Sequence, residues 1–361
     1  TRSDKEKAKE IIGGLEKHYR AFVLELLQTD AARAKANKIL DEHFEFLNII
    51  TRISFNEALN KDILAQGELM STKLFSAYLE EKNIKHALVP ALEFMSIDAN
   101  DEPQVPAIRQ KLIPVLASHP GITLFITQGY ICRNVRGEVD NLKRGGSDYT
   151  ASLVAAAAHC TVCEIWTDID GMHNNDPRVV GKTIPVEQLS FEEAAELAYF
   201  GAKILHPTCI QPAKYANIPV RLLNTMDPSA PGTLISNNTD SGMIKAVAAK
   251  DNITAIKIKS SRMLLAYGFL RKVFEIFESY RTSIDMICTS EVGVSVTIDN
   301  TTNLKDILAD LKKYGTVSVD EDMCIICIVG DLEWDNVGFE AKAVEAMGDI
   351  PVRMISYGGS N

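Results

Sequence analysis

The chain has 361 residues, 46% hydrophobic and 24% charged, with 38 Lys and Arg against 48 Asp and Glu for a net charge of −10. That length buries a full core without staples and suggests two or three domains at about 150 residues each. The composition excludes long disorder and a fibre, the acidic total argues against a general nucleic-acid or anionic-membrane binder, and no apolar run nears the roughly 20 residues that span a bilayer.

The first ten residues, TRSDKEKAKE, carry no apolar signal-peptide segment, and the chain does not begin with Met. Residues 5–66 read as helical, with Ile11, Leu15, Phe22, Leu26 and Leu27, then Phe44, Leu47 and Ile50 at helical spacing. From about residue 67 helices alternate with short strands. ELMSTKLFSAYLEEK, IRQKLIPVLASH and DYTASLVAAAAH read as helices; HALVPAL, ITLFITQGY, CEIWTDIDG and IPVRLLN read as strands. Ser190 and Glu193 make a capping box before another helix. This alternation predicts an α/β fold, a mostly parallel sheet with helices on both faces.

DPSAPGTLISNNTDSG is loop chemistry and places a boundary near 227–245. Beyond it AIKIK, SIDMI and the alternating Val292, Val294, Val296 and Ile298 read as strands. GFLRKVFEIFESY and the stripe Leu304, Ile307, Leu308, Leu311 read as helices, and TVSVDEDMCIICIVG as two more strand pieces. The sum is βαββαβ, an α+β unit. It begins to repeat: Gly268, Phe269, Lys272 and Glu275 recur as Gly338, Phe339, Lys342 and Glu345, and Ile284–Ile287 as Val352–Ile355.

Seven cysteines without a secretory signal suit free thiols in a reducing cytoplasm. Cys324 and Cys327 fall in a strand, where positions i and i+3 face opposite sides and cannot clasp one metal. Cys160 and Cys163 straddle a helix-to-strand junction with only His159 nearby. No metal site is expected from either pair.

Four segments carry possible chemistry. In Arg144-Gly-Gly-Ser147-Asp148 the glycines allow close approach, and Ser147 or Asp148 is placed to cap the following helix. Its exposed N–H groups, with Arg144, suit a carboxylate or phosphate; an ordinary capped loop is the plain alternative. Thr167 and Asp168 close a buried strand ahead of Asp176-Pro-Arg178, where open α/β sheets bind ligands, though both segments are also ordinary turn makers. Lys203 at a helix end and Glu68 near a helix start are unremarkable taken singly.

Together, ITQGYI, RGGSDYTASL, WTDIDGM, DPR, EEAAELAYFGAKILHP and APGTLI occur in one order, and the chain resembles the aspartate kinases of the amino-acid kinase family. The resemblance covers nearly the whole chain. It implies an amino-acid kinase domain over residues 1–236 and tandem regulatory ACT domains over 245–361, the second incomplete. It implies ATP and Mg²⁺ as cofactors and L-aspartate as substrate, phosphorylated on its β-carboxylate. Glu68, Arg144, Gly146, Ser147 and Asp148 match aspartate-holding positions, with Arg144 on the α-carboxylate and the acids on the α-amino group. Thr167, Asp168, His173, Arg178 and Lys203 match nucleotide positions; Lys203 and Asp148 are the implied catalytic pair. Met263, Gly268, Phe269, Leu270, Asp285, Ser290, Glu291 and Val292 match effector positions, for lysine or threonine. A homodimer or homotetramer through the ACT domains is implied, with no nucleic-acid or membrane partner.

Three departures stand out. The family's Lys-Phe-Gly-Gly-Thr-Ser strand does not occur in residues 1–361, so full activity is expected of a complete protein that carries it. His173 stands where a Tyr often lies near the nucleotide; it is placed to stack on the nucleotide, to bond it, or to face solvent. Leu265 replaces a polar residue frequent in lysine-sensing relatives and leaves the effector open. A kinase for another small acid and a silent amino-acid-sensing subunit are the alternatives.

Overall fold

The computed structural model describes residues 5–52, 56–143, 145–201, 205–238, 244–260, 267–330 and 338–357. In chain order come α1 (Lys5–Leu26), α2 (Asp30–Ile50), α3 (Glu57–Glu81), β1 (Ala87–Leu88), α4 (Ala91–Phe94), α5 (Val105–Ala117), β2 (Phe125–Ile126), β3 (Ile131–Arg133), β4 (Val139–Asn141), α6 (Gly146–Ala158) and β5 (Cys163–Thr167). They are followed by β6 (Gln188–Ser190), α7 (Phe191–Phe200), α8 (Gln211–Tyr215), β7 (Val220–Asn224), β8 (Thr233–Ser236), β9 (Ile244–Lys259), α9 (Phe269–Ser279), β10 (Ile287–Ser290), β11 (Gly293–Ile298), α10 (Leu304–Leu311), β12 (Thr316–Gly330) and α11 (Phe339–Ala346). The chain divides into two compact units: Thr1–Asp168 with Leu205–Pro228, and Ile169–Ile204 with Ser229–Asn361. Residues 169–204 thus pack with the C-terminal residues.

In the first unit, α1 to α3 enclose Val23, Leu27, Leu40, Phe44 and Leu74. Burying such a side chain contributes about 1.5–3 kcal/mol. Thr29 and Asn56 cap α2 and α3 by accepting from the N–H of Ala32 and Leu59. The change of pattern placed at about residue 67 does not break the helix, because α3 runs unbroken from Glu57 to Glu81. An exposed Gly67 costs about 1 kcal/mol against Ala, but Ala65, Met70 and Leu74 on either side of it are buried and carry the helix through. Glu68 therefore sits mid-helix, not near a start.

A second core gathers Phe94, Met95, Ile108, Ile131 and Leu153 under α4, α5 and α6. β1 pairs with β2 and β5 with β7, both in parallel; β3 and β4 form an antiparallel pair. ITLFITQGY keeps only a two-residue strand. Its start closes the turn after α5, Ile122 N–H donating to the His119 carbonyl, and its end turns at Tyr130, whose φ is +68°.

In the second unit β6 pairs in parallel with β8, and the Ser190–Glu193 capping box starts α7 as expected. An antiparallel sheet of order β10-β11-β9-β12 is covered by α9 and α10 over Ile256, Ile258, Val273, Phe277, Val294, Val296, Ile298, Ile307 and Leu311. That is the βαββαβ order. Three details differ from the sequence reading. The strand expected at SIDMI begins only at Ile287, because the preceding residues meet β11 through isolated bonds, Asp285 N–H to Thr297 O and Thr297 N–H to Met286 O. Val292 lies in the turn before β11 and is 50% exposed. Residues 316–330 are one strand, not two, kinked by register shifts between Asp320 and Ile325.

Through that kinked strand the first copy of the repeat runs into the second. α9 and α11 match, both preceded by a glycine in the left-handed region, Gly268 at φ +81° and Gly338 at φ +100°. The matched strands do not recur, since Val352–Ile355 is not a strand; Cys288 Sγ meets the Ile355 carbonyl at 3.3 Å. None of the seven cysteines is in a disulfide. Among the described residues no helix is long and apolar enough to cross a membrane, and no group of three metal-ligating side chains occurs.

Candidate active site

Three segments of the first unit converge on the turn at residues 128–130. Gly129 lies so close to α6 that a Cβ there would sit 3.0 Å from Ser147 Cα. Tyr130 N–H donates to Thr150 Oγ1 at 3.0 Å, and Thr150 Oγ1 donates to the Gly146 carbonyl at 2.8 Å. Gln128 reaches Thr72, one helical turn beyond Glu68, at 2.8 Å. Gln128, Gly129 and Tyr130 thus tie α3 and the start of α6 to one turn.

At the start of α6 the expected side-chain cap is absent. Gly145 occupies the N-cap position at φ +64°, and Ser147 and Asp148 fall in the first helical turn instead. Gly145 packs on Cys209, which donates its thiol to the Gly145 carbonyl at 3.2 Å. A Cβ at residue 145 would lie 2.4 Å from that sulfur. Burial pushes the Cys209 thiol up to about 11, so it remains a donor at neutral pH. Cys209 and Tyr130 went unweighed at the sequence level. Tyr130 lies inside ITQGYI; nothing local marks Cys209, 64 residues from its partner.

Glu68 and Asp148 are both partly buried. Burial raises the carboxyl pKa of each, and among the described residues neither carboxylate has a hydrogen bond or ion pair. The Glu68 charge also contributes to the raised pKa of Tyr130, after burial, Asp140 and Cys132. Carboxylates held away from water without a cation are anions awaiting one. Arg144 and Lys203 lie outside the described residues.

Thr167 and Asp168 stand at the C-terminal end of the β5/β7 pair, the Thr167 hydroxyl donating to Asp168 Oδ1 at 3.0 Å. In the second unit His173 does not merely face solvent. Its Nε2 meets Asp170 Oδ1 at 2.7 Å and its Nδ1 meets Thr183 Oγ1 at 2.8 Å, so both ring nitrogens are engaged internally and only its ring face remains for stacking. Arg178 is exposed and forks onto Asp176, with Nη2 to Oδ2 at 2.7 Å.

Of the effector positions, Met263 lies outside the described residues. Gly268 opens α9, Phe269 is core, and Leu270 is 38% exposed. Ser290, Glu291 and Val292 form the tight turn between β10 and β11. Asp285 is not a free acceptor: its side chain is fully buried, and Oδ1 accepts from Lys250 Nζ at 2.9 Å and from the Tyr199 hydroxyl of α7. Lys250 also pairs with Asp299 at 2.9 Å and lies 4.3 Å from the centroid of the Tyr199 ring. Oδ2 of Asp285 is buried and has no hydrogen-bond partner among the described residues.

Parallel strand pairs, a glycine-capped helix and two partly buried carboxylates with no partner among the described residues are what an amino acid kinase site requires, and likeness to known proteins assigns that class. The model of the amino acid kinase family matches residues 10–224. Lysine-sensitive aspartokinase 3 of Escherichia coli is 33% identical over 353 residues, covering 94% of this chain and 78% of that protein. Chloroplastic aspartokinase 3 of Arabidopsis thaliana is 35% identical over 349 residues; the alignment covers 89% of this chain but only 62% of that protein. The structure of E. coli aspartokinase III with aspartate and ADP matches at TM-score 0.80 and 32% identity, over 97% of this chain and 81% of that one. Its complex with lysine and aspartate matches at TM-score 0.75 and 34% identity over the same shares. The chain belongs to the aspartokinase family.

Proposed function

We propose that the complete protein transfers the γ-phosphoryl group of ATP to the β-carboxylate of L-aspartate, giving 4-phospho-L-aspartate, the entry step of aspartate-family amino-acid biosynthesis. The observation that carries the reading is the pair Glu68 and Asp148, both partly buried and with no cation partner among the described residues, Asp148 in the first turn of the helix that Gly145 caps. An α-ammonium group supplies the missing charge. Arg144, by the family resemblance, takes the α-carboxylate.

The chemistry needs no general base. A β-carboxylate with pKa near 4 is already an anion at neutral pH. One of its oxygens forms a bond to the γ-phosphorus, the bond from that phosphorus to the β,γ-bridging oxygen breaks, and ADP leaves with the electron pair. Catalysis is positioning plus neutralisation of phosphate charge. Thr167, Asp168, His173, Arg178 and Lys203 are the residues proposed to serve the nucleotide, Lys203 on the transferring phosphoryl group. The exposed Asp168 carboxylate suits Mg²⁺ carried in on the nucleotide, and no three-ligand protein cage occurs among the described residues. Mg²⁺ held there would supply positive charge against the nucleotide's phosphates.

Trapping the acyl phosphate with hydroxylamine, over a panel of aspartate, glutamate and other small acids, tests the reading. Aspartate alone should give a strong signal; an equal signal with glutamate overturns it. Within the same assay Arg144→Ala should raise the aspartate KM, by about 30-fold or more for a lost charged contact of roughly 2–5 kcal/mol, with the ATP KM nearly unchanged. Lys203→Ala should act on ATP and turnover instead. Identical defects in the two variants would refute the division of roles. Gly145→Ala forces a Cβ into Cys209 at a left-handed φ. It should lower kcat/KM for aspartate by about 10²-fold through displacement of the loop.

Lysine is the proposed effector, since the related E. coli enzyme is named lysine-sensitive and has been solved with lysine. β10 and β12 are the outer strands of the regulatory sheet. Outer strands are ordinarily covered, which supports a dimer or tetramer built through this region.

A further inference from the structure

Glu68 lies mid-helix on α3 and has no side-chain partner among the described residues. Something else must set where its carboxylate stands. Thr72, one turn further along the same helix, donates its hydroxyl to the Glu68 carbonyl at 2.8 Å. The same hydroxyl oxygen accepts from Gln128 Nε2 at 2.8 Å. Gln128 is 2% exposed, and its Oε1 accepts the backbone N–H of Ala91 at 2.7 Å. Ala91 opens α4, whose preceding residue, Pro90, offers no side-chain cap. Both ends of the Gln128 amide are thereby used, and its oxygen and nitrogen are not interchangeable. The next residue, Gly129, packs against Ser147 at the start of α6.

We propose that the Thr72–Gln128 hydrogen bond is a positioning strut that fixes Glu68 relative to the Ser147–Asp148 end of the substrate loop, and so sets affinity for the substrate's ammonium group. The proposal rests on the reading of Glu68 as an ammonium ligand. A buried side-chain amide bridging two elements tolerates no slip, because moving either partner strands a buried donor. α3 is packed at Met70 and Leu74, and Gln66 meets His43, but Gly67, beside Glu68, has open space around it and offers no packing against a local shift of this turn. The strut opposes it from the buried side. Neither Thr72 nor Gln128 touches substrate in this account; each acts through Glu68.

The test uses the complete enzyme and three variants. Thr72→Val keeps the shape of residue 72 and removes its hydroxyl; Thr72→Ser keeps the hydroxyl; Glu68→Gln removes the charge. Thr72→Val should raise the aspartate KM by roughly 3- to 20-fold, leaving the ATP KM within twofold. Thr72→Ser should recover most of the loss. A role in stability alone would lower the melting temperature without separating the two KM values. If Thr72→Val leaves the aspartate KM at the parent value while Glu68→Gln raises it, the strut is refuted and the role of Glu68 stands. If Thr72→Ser is as impaired as Thr72→Val, packing rather than the hydroxyl matters, and the proposal falls. If Glu68→Gln leaves the aspartate KM unchanged, both the strut and the ammonium reading are overturned.

Discussion

Asp148→Asn should lower kcat/KM for aspartate by about 10²–10³-fold and, at pH 8, raise the melting temperature of the ligand-free protein by about 1–3 °C. The two effects have one cause. Burial raises the Asp148 carboxyl pKa in the folded state. A group with a raised folded pKa contributes stability that is fully present below its unfolded pKa and is lost as pH rises through the folded value. At pH 8 the ionised Asp148, with no partner among the described residues, should therefore be a destabilising group, and a neutral asparagine should relieve it. The gain should fade as pH falls towards the ordinary aspartate pKa near 4, where the parent carboxyl is protonated too. Glu68 shifts in the same direction from the same cause. The aspartate KM of the parent should therefore climb on acidification at a pH above the usual carboxylate range. Aspartate added to the parent should raise its melting temperature and do little for the variant. Calorimetry at pH 8 and pH 4, with and without aspartate, decides the matter. A variant that melts lower than the parent at pH 8 would show Asp148 to be a satisfied structural acid.

What the sequence made legible was contiguous. The capping box at Ser190 and Glu193 needs only four residues and appears as expected. The stripe Leu304, Ile307, Leu308, Leu311 and the alternation from Val294 to Ile298 depend on local periodicity, and they became a helix and a strand of one core. The capping expectation for Ser147 or Asp148 failed because the residue before them is a glycine. At φ +64° Gly145 turns the chain into the helix through its backbone alone, and its neighbour in space, Cys209, comes from far along the chain. The boundary placed near residue 67 falls inside α3, which the buried Ala65, Met70 and Leu74 keep continuous. The long, kinked β12 was unreadable because its two halves look like separate strands until the 16-residue β9 pairs along both of them. The partners of Asp285 were hidden for a similar reason. Tyr199 is 86 residues away and Lys250 35 residues away, and nothing in either local pattern marks them.

Asp285→Asn should raise the lysine concentration for half-inhibition by about tenfold or more, within the 5- to 150-fold span that a coupling of roughly 1–3 kcal/mol allows. The expectation rests on lysine as the effector, and the buried cluster gives it a mechanism. Asp285 Oδ1 is occupied by Lys250 and Tyr199, while Oδ2 is buried without a donor among the described residues. An unpaired buried acceptor typically costs about 1–3 kcal/mol. An arriving ammonium group supplies the missing donor and is favoured for that reason. Asparagine keeps the size of the side chain but removes the charge that attracts the ammonium, and Lys250 retains Asp299 as a counter-charge. Tyr199 is the proposed route of the response. Its hydroxyl links Asp285 to α7, which ends at Phe200, immediately before the segment that carries Lys203. Tyr199→Phe should thus leave the lysine-induced rise in melting temperature in place and reduce the extent of inhibition. Lysine, threonine and methionine are each titrated alone against the complete parent enzyme and both variants. Inhibition by lysine that persists undiminished in Asp285→Asn would rule out Asp285 as an effector contact and overturn this mechanism.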